Sequence, residues 1–337
     1  MIYLHIPFCK SFCTYCNFYS ELCSGKGLRQ VQNFVDGVCG EIDRRRDEIE
    51  EVRRTSVNTL YVGGGTPSVL PVSALEAIVE KLGYRDYEEF TVEVNPDDIN
   101  ARGPGYLDGL KRIGVNRISM GVQSFDDGIL KWMNRRHSSS GAVEAFGLLR
   151  DAGFANISID LIFGISQLDD EKWEETIRRT IELAPEHISA YQLSIEEGSA
   201  LAGMIREGRY FEASEELCRK QYDTLCRELR EAGYNHYEIS NFARPGYEAV
   251  HNSAYWRRLP YVGLGPGAHS FRISPEQRRS WNSQTLTGWI PDGENLTEEE
   301  IREERIMLGL RTKEGVDGLS IPEDKWFVSD DIISGLI

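Results

Sequence analysis

The chain has 337 residues, 40% hydrophobic and 27% charged, the balance of a globular protein with room for one large barrel and a smaller appended domain. Its net charge of −16 argues against a broad electrostatic footprint for nucleic acid and fits ligands that are small molecules or other proteins. No run of about eighteen apolar residues is present to span a membrane, and no basic-then-apolar leader precedes the first strand pattern, so a cytoplasmic protein is expected.

Residues 1–20, MIYLHIPFCKSFCTYCNFYS, open with a strand over residues 2–6, then Pro7 and a loop carrying Cys9, Cys13 and Cys16. Thiols spaced x3 and x2 in so short a loop can converge on one centre. Iron–sulfur clusters are held by cysteine thiolates and a cubane takes four ligands, so a loop supplying three leaves one iron open to bind something else. Zinc is the first alternative, with His5 or Cys23 as fourth ligand. His5 lies within the strand, however, and the spacing is not the paired Cys-x2-Cys of most zinc modules. Disulfides are disfavoured by the odd total of seven cysteines and the lack of a secretory segment. Cys39, Cys218 and Cys226 fall in helical patterns, where a free cysteine is usually a small buried hydrophobe.

Further along, residues 29–54 repeat apolar positions at helical spacing, with Glu50 and Arg54 as a supporting pair on a solvated face. Strands are expected at 58–62, 90–94, 115–120, 157–162 and 187–193. Helical patterns separate them at 105–113, 126–133, 139–152 and 169–183, with another starting at Ser73. Such alternation implies βαβ units and a parallel sheet, and periodicity leaves both an open doubly wound sheet and a (β/α) barrel standing. In barrels, functional residues gather at the C-terminal ends of strands, and here the unusual residues sit there in strand after strand.

After the second strand comes Gly63-Gly64-Gly65-Thr66-Pro67, whose glycines let a ligand approach the backbone; a tight turn is the plainer reading. Glu93 ends the third strand, where it could simply pair with Arg117. Gly121-Val122-Gln123-Ser124-Phe125 ends the fourth, followed by Arg135 and His137, the latter readable as a structural histidine. Asp160 stands among apolar residues of the fifth, where a carboxylate is costly unless paired. Tyr191 and Ser194 end the sixth. Residues 211–232 form a long amphipathic helix pattern, and His251-Asn252-Ser253-Ala254-Tyr255-Trp256 follows an aromatic-rich stretch. Residues 261–269, YVGLGPGAH, read as a glycine-rich turn. Residues 296–315 read as a helix opened by a Thr297–Glu300 capping box and expected to pack against the barrel edge.

The Cys9-x3-Cys13-x2-Cys16 spacing, with Tyr15 before the last cysteine, resembles the radical S-adenosylmethionine (SAM) superfamily. The wider string YLHIPFC…C…YCNFYS is similar to its coproporphyrinogen-oxidase-related branch and, within that, to the HemW-type haem chaperones. The resemblance implies an α/β fold: an incomplete six-unit (β/α) barrel over residues 1–234 and a smaller C-terminal accessory region over 235–337. That region is expected to be incomplete, because the family normally continues past the apolar stretch FVSDDIISGLI.

The resemblance further implies a [4Fe–4S] cluster on Cys9, Cys13 and Cys16. Its open iron is chelated by the amino and carboxylate groups of SAM, and electron transfer cleaves the sulfonium to a 5′-deoxyadenosyl radical. By position it implies SAM contacts at Tyr3, Tyr15, Gly64, Gly65, Thr66, Glu93, Gln123, Arg135, Asp160 and Ser194, with Tyr191 lining the adenosine pocket. Glu93 could accept from ribose hydroxyls, Gln123 can both donate and accept, and the planar fork of Arg135 suits a carboxylate.

The string from His251 to Trp256 is similar to the HNxxYW motif associated with haem in the chaperones. It implies haem at His251, Asn252, Tyr255 and Trp256, since histidine ligates haem iron and aromatic faces suit a macrocycle. The plainer reading makes Tyr255 and Trp256 core residues and His251 a capped loop histidine. Partners implied are haem and haem-accepting proteins, membrane-associated respiratory enzymes among them, with room for a homodimer.

The rival within the branch is oxygen-independent coproporphyrinogen III oxidase, which oxidatively decarboxylates two propionates in porphyrin biosynthesis. It carries a further cysteine two residues past the third, where this chain has Asn17 and Phe18, and an extension before the cluster loop. Both departures favour the chaperone. SAM-cleaving capacity is expected, coproporphyrinogen oxidase activity is not, and no catalytic residue is assigned.

Overall fold

The computed structural model describes residues 1–23 and 27–337. The first strand, β1 (Ile2–Ile6), is followed by two-residue strands β2 (Phe8–Cys9) and β3 (Glu21–Leu22), which pair in parallel and close the cysteine loop at its base. Strands β4 (Thr59–Gly64), β5 (Glu89–Val94), β6 (Arg117–Gln123), β7 (Ile157–Phe163) and β8 (His187–Gln192) then join β1 in parallel, in chain order, with helices between them. These are the six expected units.

The sheet continues beyond them. The hairpin β9 (Asn235–Glu238) and β10 (Asn241–Ala243) adds antiparallel to β8. β11 (Val262–Leu264) returns to the opposite edge and pairs in parallel with β1, giving nine strands in the order β11-β1-β4-β5-β6-β7-β8-β10-β9. The glycine-rich stretch 261–269 therefore supplies a strand. At Gly263 a Cβ would come within 1.9 Å of the His269 carbonyl oxygen, so no side chain fits there. Strands β12 (His269–Arg272), β13 (Arg278–Asn282) and β14 (Pro291–Asn295) form a separate antiparallel meander.

Alternation along the parallel strands decides what is inside the barrel. Ile2, Leu4 and Ile6, Leu60 and Val62, Phe90, Val92 and Val94, and Ile118, Met120 and Val122 belong to the apolar core under the surrounding helices. Their neighbours face the lumen, and they are mostly polar: Tyr61, Glu93, Arg117, Ser119, Asp160, Ser189 and Tyr191 line one cavity. Barrel interiors are ordinarily packed with branched apolar side chains. A lumen built this way can receive a polar ligand.

The expected helix over 29–54 is two helices, Gly27–Arg44 and Arg46–Thr55, broken at Arg45. Arg45 bonds Glu41 and Glu48 but also reaches the Gly263 carbonyl at 2.7 Å and Ser270 Oγ at 2.9 Å. Its neighbour Glu41 is buried and accepts from the Gly265 amide, Asn282 Nδ2 and Trp289 Nε1. The break is set by residues over two hundred positions away, which helical periodicity does not register.

Pattern 105–113 corresponds to Pro104–Arg112, and a further short helix, Pro96–Arg102, precedes it. The helix Glu298–Gly309 carries the expected capping box: the Glu300 amide donates to Thr297 Oγ1 and Glu300 accepts from the Thr297 amide at 2.7 Å. Among the described residues no helix is long and apolar enough to cross a membrane.

Candidate functional site

The cysteine loop is tied over the C-terminal ends of the strands by its backbone. The Thr14 amide donates to the Met133 carbonyl at 3.1 Å, and the Leu201 amide to the Thr14 carbonyl at 2.8 Å. Asn134 Nδ2 donates to the Phe12 carbonyl at 2.7 Å, and the Cys23 amide to the Cys9 carbonyl at 2.8 Å. Cys23 thus helps close the loop through its backbone.

Held in this way, Cys9, Cys13 and Cys16 all border a cavity of about 810 Å³ that runs from the loop into the lumen. Their thiols are free. Cys9 Sγ lies 3.4 Å from Thr66 Oγ1, and Arg135 Nη1 donates to Cys13 Sγ at 3.4 Å. Burial pushes the Cys9 thiol up and that of Cys16 to about 11, so coordination by a metal centre is what would ionise them. Three free cysteines bordering one cavity are the donor type an iron–sulfur cluster would take there.

The strand ends bring the other expected residues to the same cavity: Tyr15, Gly64, Gly65, Thr66, Glu93 and Gln123 border it, as do Arg135, Asp160, Ser194 and Asn252. Tyr3 does not. Its hydroxyl meets His5 Nδ1 at 3.0 Å and its ring lies against Tyr61, with which it is in register on the same face of the sheet.

The glycine run is constrained from behind as well. Gly64 has φ +109°, and a Cβ there would strike the His5 ring at 2.6 Å. The Gly65 and Thr66 amides donate to the Ile6 and Phe8 carbonyls at 2.7 Å, joining this turn to the start of the cysteine loop. Gln123 is a non-glycine residue at φ 69°, next to a register shift between β6 and β7. Strained backbone of this kind concentrates at functional sites.

Arg135 borders the cavity beside the cysteine loop. Besides Cys13 it donates to Asn95 Oδ1 at 2.6 Å and to the Gly121 carbonyl at 2.5 Å. His137 is buried, bonds the Val122 carbonyl, and is held neutral with its pKa lowered to about 4 by burial and by Arg135.

Deeper in, Glu93 accepts from the Tyr61 hydroxyl at 2.8 Å and the Gly64 amide at 3.2 Å, and burial pushes its carboxyl up to about 7. Asp160 accepts from Ser119 Oγ and is pushed by burial to about 6. The ion pair between Glu93 and Arg117 that sequence suggests is not formed. Arg117 is buried, its charge lowers the pKa of both acids, and its side chain donates to Thr91 Oγ1 at 3.5 Å.

The HNxxYW segment is the helix Val250–Trp256, which lies against the start of β4 and β5. Glu89 caps it, accepting from the Val250 and His251 amides. His251 is buried, with Nδ1 2.8 Å from Thr59 Oγ1 and Nε2 3.2 Å from the Tyr255 hydroxyl. Burial holds its pKa well below the ordinary imidazole value. The helix places its four expected haem residues in three surroundings: His251 and Tyr255 on each other, Asn252 on the main cavity, and Trp256 on a second cavity of about 710 Å³. Both ring nitrogens of His251 are within hydrogen-bonding distance of hydroxyls, so binding an iron there would require one of these contacts to break.

Comparisons with known proteins agree on the lineage. The model of the radical SAM superfamily matches residues 3–180. The chain is 35% identical over 323 residues to the heme chaperone HemW of Lactococcus lactis, covering 93% of this chain and 82% of that protein. It is 32% identical to HemW of Bacillus subtilis, covering 93% and 84%, and 31% identical to a mitochondrial radical S-adenosyl methionine domain-containing protein of Danio rerio, covering 94% and 73%. The solved coproporphyrinogen III oxidase of Escherichia coli superposes with a TM-score of 0.75 at 22% identity, covering 92% of this chain and 75% of that one, a likeness of fold alone.

Proposed function

Because the chain belongs to the radical SAM superfamily and to the family of its HemW relatives, we propose that it is a haem chaperone that binds haem and delivers it to haem-requiring proteins. The observation that carries the reading is the cysteine loop, clamped over a polar lumen, in a chain similar to these chaperones along nearly its whole length. Cys9, Cys13 and Cys16 hold a [4Fe–4S] cluster. Arg135, Gln123, Thr66 and the turn at Gly64 and Gly65 hold SAM, with Glu93 and Asp160 below them and Tyr15 and Ser194 on the border. When bound, this pair supplies one-electron chemistry. The residues of the chain position the ligand, keep charge balanced around it and limit the access of water.

The lumen acids give the binding of SAM a pH dependence. A sulfonium ligand is favoured by ionised carboxylates. Glu93, facing Tyr61, Arg117 and Asp160, is half-protonated at about 7, and Asp160, facing Ser119, Ser189, Arg117 and Arg135, at about 6. SAM affinity is therefore expected to rise as pH increases from about 5.5 and to level off above about 7.5, with Glu93→Gln flattening the profile; calorimetric titration against pH checks it. The stability of the ligand-free fold runs the other way. Both carboxyls are raised above the ordinary value of about 4, so their contribution is fully present at low pH and is lost as pH rises through 6 to 7.

Anaerobic haem titration of the cluster-reconstituted protein tests the carrier reading. Saturable binding is expected, without substrate-dependent loss of propionate carboxyls when coproporphyrinogen is offered. Decarboxylation in place of haem binding would assign the chain to the oxidase. His251→Ala is expected to bind haem like the wild type and to lose stability, because it removes two hydrogen bonds from the core.

A further inference from the structure

The cysteine loop carries two aromatic side chains that the fold leaves in the open. Phe12 is 48% exposed and Phe18 71%, on a loop whose backbone is fixed at Phe12 and Thr14. Both border the main cavity, as does Tyr191, 44% exposed, from the end of β8. Large apolar side chains grouped at the rim of a cavity mark an interaction site far more often than the same residues scattered singly.

The alternatives for a flat apolar cargo are poor. His251 is sealed, and the second cavity, beside Trp256, is walled by Arg257, Arg258, Arg305, Lys313 and the buried Glu238. Neither of its aromatic side chains, Tyr237 and Trp256, is exposed as Phe12 and Phe18 are.

Resting on the haem-carrier reading, we propose that Phe12, Phe18 and Tyr191 form the haem-docking lip, with the macrocycle lying against these rings across the mouth of the cavity. Aromatic rings supply contact area and ring stacking in one side chain. Two consequences follow from the place. The cargo stays open to an acceptor from the solvent side, and it covers the exit of the cavity, so bound haem slows the exchange of SAM.

Haem titrations of reconstituted wild type and the F12S/F18S variant, followed by Soret absorbance, test the lip together with SAM release measured with and without haem. The variant is expected to bind haem at least about tenfold more weakly, with unchanged iron and sulfide content and unchanged SAM affinity. Phe18→Trp is expected to keep haem affinity, and haem to retard SAM release from the wild type. Wild-type haem affinity in F12S/F18S, or SAM release indifferent to haem, overturns the lip and leaves the carrier reading intact. Absence of saturable haem binding in the wild type overturns both.

Discussion

Cys13→Ser is expected to fold and to lose the cluster, retaining less than about a tenth of wild-type iron and sulfide after reconstitution, and with it measurable SAM binding. The fold survives because the loop is anchored through Thr14, Asn134 and Cys23, none of which depends on the Cys13 side chain. The cluster does not, since a serine hydroxyl is a hard, poorly ionised donor where iron–sulfur chemistry needs a soft thiolate. Arg135 would then donate to a group carrying no charge. Cys23→Ser is the matching control and keeps a full cluster, because its part in the loop is a backbone hydrogen bond. Iron and sulfide analysis separates the two variants, and a stoichiometric cluster in Cys13→Ser would contradict the ligand assignment.

Arg135→Leu is the second large effect, and it falls on stability and binding together. The guanidinium is the shared partner of Asn95 Oδ1, the Gly121 carbonyl and Cys13 Sγ. Removing it leaves the Gly121 carbonyl buried without this donor and takes a partner from the half-buried Asn95 and Cys13, at a cost of about 1–3 kcal/mol. SAM binding is lost as well if its carboxylate meets this fork. Urea denaturation reads the first effect and calorimetry the second. Arg135→Lys restores charge without the planar geometry, so it is expected to recover part of the stability and little of the binding. Wild-type stability in Arg135→Leu would mean that the three contacts are of little consequence.

What could be read from sequence was what is local. The cysteine spacing, the glycine turn, Gln123 and Arg135 are each written in a few consecutive residues, and the strand-end rule was enough to bring Cys9, Glu93 and Asp160 to one cavity. Features set by distant contacts were not legible. The break at Arg45 depends on Gly263 and Ser270, and β11 is three residues long, recognisable only by the β1 edge that it completes. Pro96 at the start of a short helix was a signal that could have been used, since proline is at home in a first helical turn.

His251 shows what a motif leaves unsaid. Its residue type suits an iron ligand, but Thr59 and Tyr255 take both nitrogens, and neither contact is visible in the motif. Gly64 and Gly65 carry a related lesson. Their smallness is required by the His5 ring and by the carbonyls of Ile6 and Phe8, before any ligand is considered.

The most direct test of the central claim, that a three-cysteine cluster turns its open iron toward this cavity, is the electron paramagnetic resonance spectrum of the reduced, reconstituted protein recorded with and without SAM. A cluster whose fourth iron takes the ligand must change its spectrum on addition of SAM, and that change is expected to disappear in Arg135→Leu. A spectrum identical with and without SAM, at concentrations where calorimetry detects no binding either, would contradict the account and leave the cluster a purely structural element.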